Sequence, residues 1–197
     1  MMRIENSQPM FQSRNEILTK RADYDRKYKK AYSNILSIVI FTVINIFLLV
    51  TKSSSYFLFS AAVPRLLVET GMYFCGYFPE EYYGGSLSGQ SFLPDAFLAI
   101  VFAIALFILG LYLLFWFMAK RKMSVGWLIA ALVFFVIDTL IFFWWYGFSS
   151  DMVIDLLFRG WIGYSLLLGI SAAFGFRKIP EDIPSTTSYS RMDVNDV

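Results

Sequence analysis

The chain has 197 residues, 57% of them apolar and 16% charged, with a formal net charge of +2 and a mean hydropathy of +0.57. A water-facing domain carries about 25% charged residues, so this chain lacks the polar surface to cover itself and lipid is the solvent for most of it. The absence of histidine and the single cysteine, Cys75, exclude intrachain disulfides, Cys/His zinc sites, histidine-dependent triads, histidine-held haem and a CxxC redox pair, and a charge of +2 gives no footprint for nucleic acid.

Residues 1–32 form a basic juxtamembrane segment carrying Arg3, Arg14, Lys20, Arg21, Arg26, Lys27, Lys29 and Lys30. From about Ser13 it reads as helical, because RADYDRKYKKAYSN has no glycine or proline, and it continues the first membrane helix into the cytoplasm. Lys27, Lys29 and Lys30 fall where anionic head groups lie, each worth about 1 kcal/mol of surface attraction. The segment serves as a topology signal or as a docking helix for a soluble partner. The first membrane helix is SNILSIVIFTVINIFLLVT, about 33–51, with Thr42 and Asn45 polar at mid-depth and suited to hydrogen bonds between helices. It follows 32 polar residues and lacks a small-residue cleavage site, so it reads as a signal anchor.

The external loop, 52–94, opens with SYFLFSAAVPRLLVETG, too short to span and suited to a re-entrant or interfacial helix. Tyr73, Phe74, Tyr77, Phe78, Tyr82 and Tyr83 then fall within eleven residues, beside Glu80 and Glu81. They read as an aromatic cap at the membrane–water boundary, or as a platform for a cationic or glycan ligand with the glutamates as counter-charges. Cys75 is a free thiol or an intermolecular disulfide partner.

Three further apolar blocks, about 95–118, 125–147 and 152–176, are each long enough to cross a core about 30 Å thick. All four blocks are too long and too uniformly apolar for barrel strands, which leaves helices. Lys120, Arg121 and Lys122 join the second and third helices as further head-group contacts. The tail, 177–197, has no apolar period and reads as disordered. Fourteen of the lysines and arginines lie in the N-terminal segment, the 120–122 joint and the tail, against Lys52 and Arg65 on the other side. Both termini are therefore expected in the cytoplasm, in a multi-pass protein of the cell membrane.

Asp138, Asp155 and Arg159 lie inside the third and fourth helices, where an ionisable group costs at least about 2.5–3.5 kcal/mol. Asp155 and Arg159 are four apart and share a helix face. The short joint Phe148–Asp151 makes the two helices antiparallel neighbours, which puts Asp138 and Arg159 at one depth, roughly 12–14 Å below the surface. Arg159 is thus bracketed by Asp155 and Asp138. As a structural cluster it fixes helix register, and a register lock tolerates exchange of the two charges. As a functional one, its formal charge of −1 offers an ion or proton site, or a contact for charged helices of another protein. Gly163 extends the same stripe and invites a close backbone approach, and Gly169 with Ala173 form a small-xxx-small spacing.

The runs WLIAALVFFVIDTLIFF, IDLLFRGWIGYSLLLGISAAF and RKIPED, with SYFLFSAAVP after the first helix, resemble a group of small bacterial integral membrane proteins with four transmembrane helices and no assigned activity. The resemblance spans most of residues 30–182 and implies the architecture and a bacterial membrane. It also implies a histidine in the last helix, which this chain lacks, so no metal or acid–base role is carried over.

The fold class is all-α and polytopic, with four transmembrane helices and a re-entrant or interfacial segment. The favoured function is an accessory or interaction subunit; the alternative is a small oligomeric transporter or channel subunit using Asp138, Asp155 and Arg159. An aspartyl enzyme needs two carboxylates sharing a proton, which an arginine between them opposes, so no enzyme activity is expected. No cofactor, metal or nucleic acid is expected. The expected partners are anionic lipid at the cytoplasmic face and a membrane protein or a second copy.

Overall fold

A computed structural model describes residues 8–53, 60–84, 91–121, 124–147 and 153–179, and among them the chain is all-helical. The tail beyond 179, Lys122 and the Phe148–Asp151 joint lie outside the described residues. Helix α1, Gln8–Val50, joins the basic segment and the first apolar block in one 43-residue rod, about 65 Å long at 1.5 Å per residue. Helices α3 (Asp95–Arg121), α4 (Val125–Tyr146) and α5 (Val153–Arg177) follow the other three apolar blocks. These four helices are each long and apolar enough to cross a bilayer. Phe107, Leu140 and Leu157 on α3, α4 and α5 are 68%, 62% and 68% exposed. A soluble monomer does not leave such side chains bare along three helices, whereas lipid tails cover them at no cost.

Small residues decide how α1 and α5 meet. A Cβ added at Gly169 would overlap the Cβ of Ala31, and one at Gly175 would lie 2.7 Å from the Tyr24 ring. Between these contacts and the middle of the bundle, Asn34 Nδ2 donates to Ser165 Oγ at 2.7 Å. Gly163, expected to admit a neighbouring backbone, has nothing within 4 Å of its would-be Cβ. The approach therefore belongs to Gly169, not Gly163. Tyr28 ties α1 to α3 by donating its hydroxyl to the Ala119 carbonyl at 2.9 Å. Helices α3 and α4 interleave rings, with Tyr112 and Phe115 edge-on to Phe134 at 5.1 and 5.7 Å. Ile35, Ile38, Val68, Leu128 and Leu166 fill the centre. Arg21 lies 4.9 Å over the Phe176 ring, so the polar half of α1 sits with Arg177, Lys120 and Arg121 at one basic end of the bundle.

Helix α2, Ala62–Phe74, has 13 residues and is about 20 Å long, two-thirds of a span. It starts inside the bundle. Its first turn meets Thr42 and Asp138, each eight residues short of its own helix end, hence roughly 12 Å deep. Of the two readings of the loop, the re-entrant one fits this depth. Pro64 falls in the first turn of α2, where the missing N–H costs nothing. Gly71 lets α2 lie close on α3, with Leu98 and Val101 at 3.0 and 3.3 Å from its would-be Cβ. The chain then turns at Gly76 (φ +77°) under the Phe92 ring and forms a short 3-10 turn, Glu80–Tyr83.

Candidate functional site: a buried carboxylate capping a half-helix

A helix that begins at membrane depth exposes backbone N–H groups that no water can reach. The residue before α2 is Ala61, whose side chain provides no cap. Other helices supply the acceptors. Ala61 N–H donates to Thr42 Oγ1 on α1 at 2.7 Å, and the Thr42 hydroxyl in turn donates to the Ile38 carbonyl at 2.6 Å. Ala62 and Val63 N–H donate to Asp138 Oδ2 and Oδ1 on α4, both at 2.9 Å. Arg159 on α5 closes the arrangement. Its Nη1 donates to Asp138 Oδ2 at 3.0 Å and to Thr139 Oγ1 at 3.2 Å, while Nη2 donates to the Ser60 carbonyl at 3.3 Å. The guanidinium carbon lies 4.4 Å over the Phe142 ring.

Asp138 and Arg159 are each 3% exposed. An isolated buried pair often fails to recover its desolvation cost. Here the carboxylate also faces the positive end of the α2 dipole and accepts two backbone N–H bonds. That is the physical reason for charge at this depth: α2 begins inside the bundle, and its polar backbone must be met there. Removing one acceptor tests the arrangement gently. Thr42→Val should destabilise the protein by about 1–2 kcal/mol, the cost of one stranded N–H, and Thr42→Ser should restore most of it in a detergent unfolding titration.

The structure thus brings together Thr42, Asp138 and Arg159. Asn45 is buried on α1, one turn beyond Thr42. Arg159 forms an ion pair with Asp138 across the hairpin, at 3.0 Å. Asp155 is buried a turn nearer the α4–α5 joint and, with Arg65 of α2, acts electrostatically on the Tyr146 hydroxyl. That hydroxyl donates to Glu69 Oε2 at 3.0 Å. Tyr112 of α3 is fully buried within electrostatic reach of Asp138 and Arg159. Exchange of the two charges is no longer equivalent, as a sign-indifferent register lock requires. Position 138 must accept from two N–H groups, and an arginine there has no acceptor.

At the end opposite the basic one, Tyr83 is the centre of the aromatic cap. It is buried, donates to the Tyr73 carbonyl at 2.8 Å and accepts from Phe78 N–H at 3.3 Å. Its ring is edge-on to Phe92 at 5.3 Å, and Phe78 stacks on Tyr82 at 5.1 Å. Tyr77 donates to Asp95 Oδ1 at 3.0 Å, a bond that raises the phenol's pKa. Phe74 lies edge-on to Phe97, and the Cys75 thiol faces the Pro94 carbonyl at 3.6 Å. Glu80 and Glu81 are exposed on the 3-10 turn.

No family model, curated protein or solved structure matches the chain.

At the basic end, charge is mostly paired along α1. Lys27 meets Asp23 at 2.6 Å, Lys29 meets Asp25 at 2.7 Å and Lys20 meets Glu16 at 2.7 Å. Lys30 instead lies 5.2 Å over the Trp161 ring, beside a groove of about 60 Å³ shared with Lys27 and Tyr164. Lys120 and Arg121 cover Trp116 and Phe117 of their own helix at 5.1 and 5.8 Å.

Sequence reasoning found Arg159 opposite Asp138 but missed its other two partners, because they are backbone groups of Ala62 and Val63. A signal existed: Pro64 marks a first turn, and Ala61 before it cannot cap it. It also missed Glu69, Trp145 and Tyr146, which carry no motif and meet only through the fold.

Proposed function

We propose that this four-span membrane protein is a non-enzymatic accessory or interaction subunit of a bacterial cell membrane, with both termini cytoplasmic. The observation that carries the reading is the commitment of Asp138, three of whose roughly four acceptor sites are taken by the protein itself. A transport path through the ion cluster needs a carboxylate able to take a cation or proton, and this one holds two N–H groups and a guanidinium. Half-helix N-termini in transporters point at anionic substrate. Here the protein's own carboxylate occupies that place. The lopsided lysine and arginine count supports the orientation, since the basic residues of α1, α3 and α5 share one end. Lys27 and Lys30, on the groove beside Trp161 and Tyr164, suit an anionic lipid head group there.

The test is cross-linking in native membranes, then affinity purification of the full chain and mass spectrometry of what co-elutes. A membrane protein recovered in near-stoichiometric amount is the expected result. A chain that elutes alone or with copies of itself, and conducts cations in proteoliposomes, would establish the oligomeric transporter instead.

A further inference from the structure

The end of the bundle that carries the aromatic cap also holds a cleft of about 400 Å³. Glu69, Tyr73, Phe74, Phe78, Tyr82 and Trp145 line it. They come from α2, the 3-10 turn with the residues before it, and the last turn of α4. The volume lies within the roughly 300–1,000 Å³ usual for small-molecule sites. Of the eight lining side chains five are aromatic and one is a carboxylate, with Leu66 and Thr70 completing the walls, and both the rings and the carboxylate favour positive charge. Ring faces attract a cation through their quadrupoles, most strongly when it is weakly hydrated, as a quaternary ammonium is. The carboxylate supplies the counter-charge. Glu69 is half-buried, and Tyr146 holds one of its oxygens at 3.0 Å, so the charge sits in a set position.

Two further observations point the same way. The rings are held before any ligand arrives: buried Tyr83 binds the Tyr73 carbonyl and the Phe78 N–H, and Phe78 stacks on Tyr82. Such pre-organisation lowers the ordering cost of binding. The surrounding field is acidic as well. Among the described residues at this end, Glu69, Glu80, Glu81, Asp95 and Asp155 outnumber Lys52 and Arg65. An anion would be repelled. A glycan would find rings to stack on and hydroxyl partners in Glu69, Thr70 and the two phenols, but a neutral sugar leaves the Glu69 charge without a counter-ion.

We infer that this cleft binds an organic ammonium group, with the aromatic side chains as its walls and Glu69 as its counter-charge. The counter-charge is thus Glu69 on α2, one of the cleft's own walls, with Glu80 and Glu81 contributing only to the field. A bare trimethylammonium would leave much of the volume empty, so the ligand carries an aryl or alkyl substituent. The group arrives on a free amphiphilic amine or as the choline or ethanolamine head of a phospholipid.

The experiment uses the full chain in a non-ionic maltoside detergent, titrated calorimetrically with benzyltrimethylammonium. Saturable binding is expected, with none for phenylacetate or benzyl alcohol, which share the ring but not the cation. Glu69→Gln should weaken binding at least tenfold. Tyr82→Ala, at a position 64% exposed and therefore harmless to folding, should weaken it several-fold. Competition by added phosphatidylcholine but not phosphatidylglycerol assigns the site to a lipid head group; indifference to both assigns it to a free cation. The inference is overturned if no saturable binding occurs, if benzyl alcohol binds equally well, or if binding survives both substitutions unchanged.

Discussion

Asp138→Ala is expected to be the most damaging single change in the bundle, lowering stability in a detergent unfolding titration by about 3–5 kcal/mol. The loss has two parts. Arg159 is stranded without its carboxylate, and Ala62 and Val63 keep buried N–H groups with no acceptor, each worth about 1–3 kcal/mol. The parts do not simply add, because a chain unfolded in lipid also finds partners for its polar groups. Arg159→Met placed in the same chain should recover only the first part. The informative comparison is the exchange Asp138→Arg with Arg159→Asp. It keeps opposite charges at one depth, yet it puts a donor-only guanidinium against two backbone donors. The exchanged protein should be at least as unstable as Asp138→Ala, whereas Asp138→Asn, which keeps one acceptor, should fall between them and the native chain. An exchanged protein that unfolds with the native midpoint would show that α2 is not held by Asp138.

Much of this network was legible because membrane helices leave few degrees of freedom. Once the joint between α4 and α5 is short, counting inward from it brings Asp138 level with Arg159, and the ion pair follows. The same arithmetic could not reach α2. Its N-terminus arrives from a loop of more than forty residues, and the groups it presents are main-chain N–H groups that every residue type except proline carries. Charge in a helix announces that something polar must lie opposite, without saying whether it is a side chain or a backbone. The glycines show a related limit. Gly163 and Gly169 are six apart on α5 and equally small, but only Gly169 faces a helix that comes close. On the Gly163 stripe the link to α4 is made by the long Arg159 side chain, which bridges helices without drawing their backbones together. Glu69 and Trp145 lie 76 positions apart, and no local pattern relates them.

Gly169→Leu carries the second-largest expected effect, and it separates packing from the polar network. The would-be Cβ at 169 overlaps the Cβ of Ala31, a fully buried residue, so neither side has a flexible side chain that can swing away. Even Gly169→Ala must move α1 off α5, at about 1–3 kcal/mol, and leucine must move it further. Two helices in lipid have no hydrophobic drive to stay together and depend on close contact, so a gap of about 1 Å forfeits a large share of the attraction. The Asn34–Ser165 hydrogen bond, one turn away, lengthens with it. With Cys75 replaced by serine, Asn34→Cys and Ser165→Cys should cross-link efficiently under mild oxidation in the native background and poorly with Gly169→Leu. Gly163→Leu is the matched control, since its new side chain enters open space and should leave both cross-linking and stability within about 0.5 kcal/mol of native. Full cross-linking in the Gly169→Leu chain would mean that α1 and α5 do not meet at Ala31, and the position of α1, Thr42 included, would have to be redrawn.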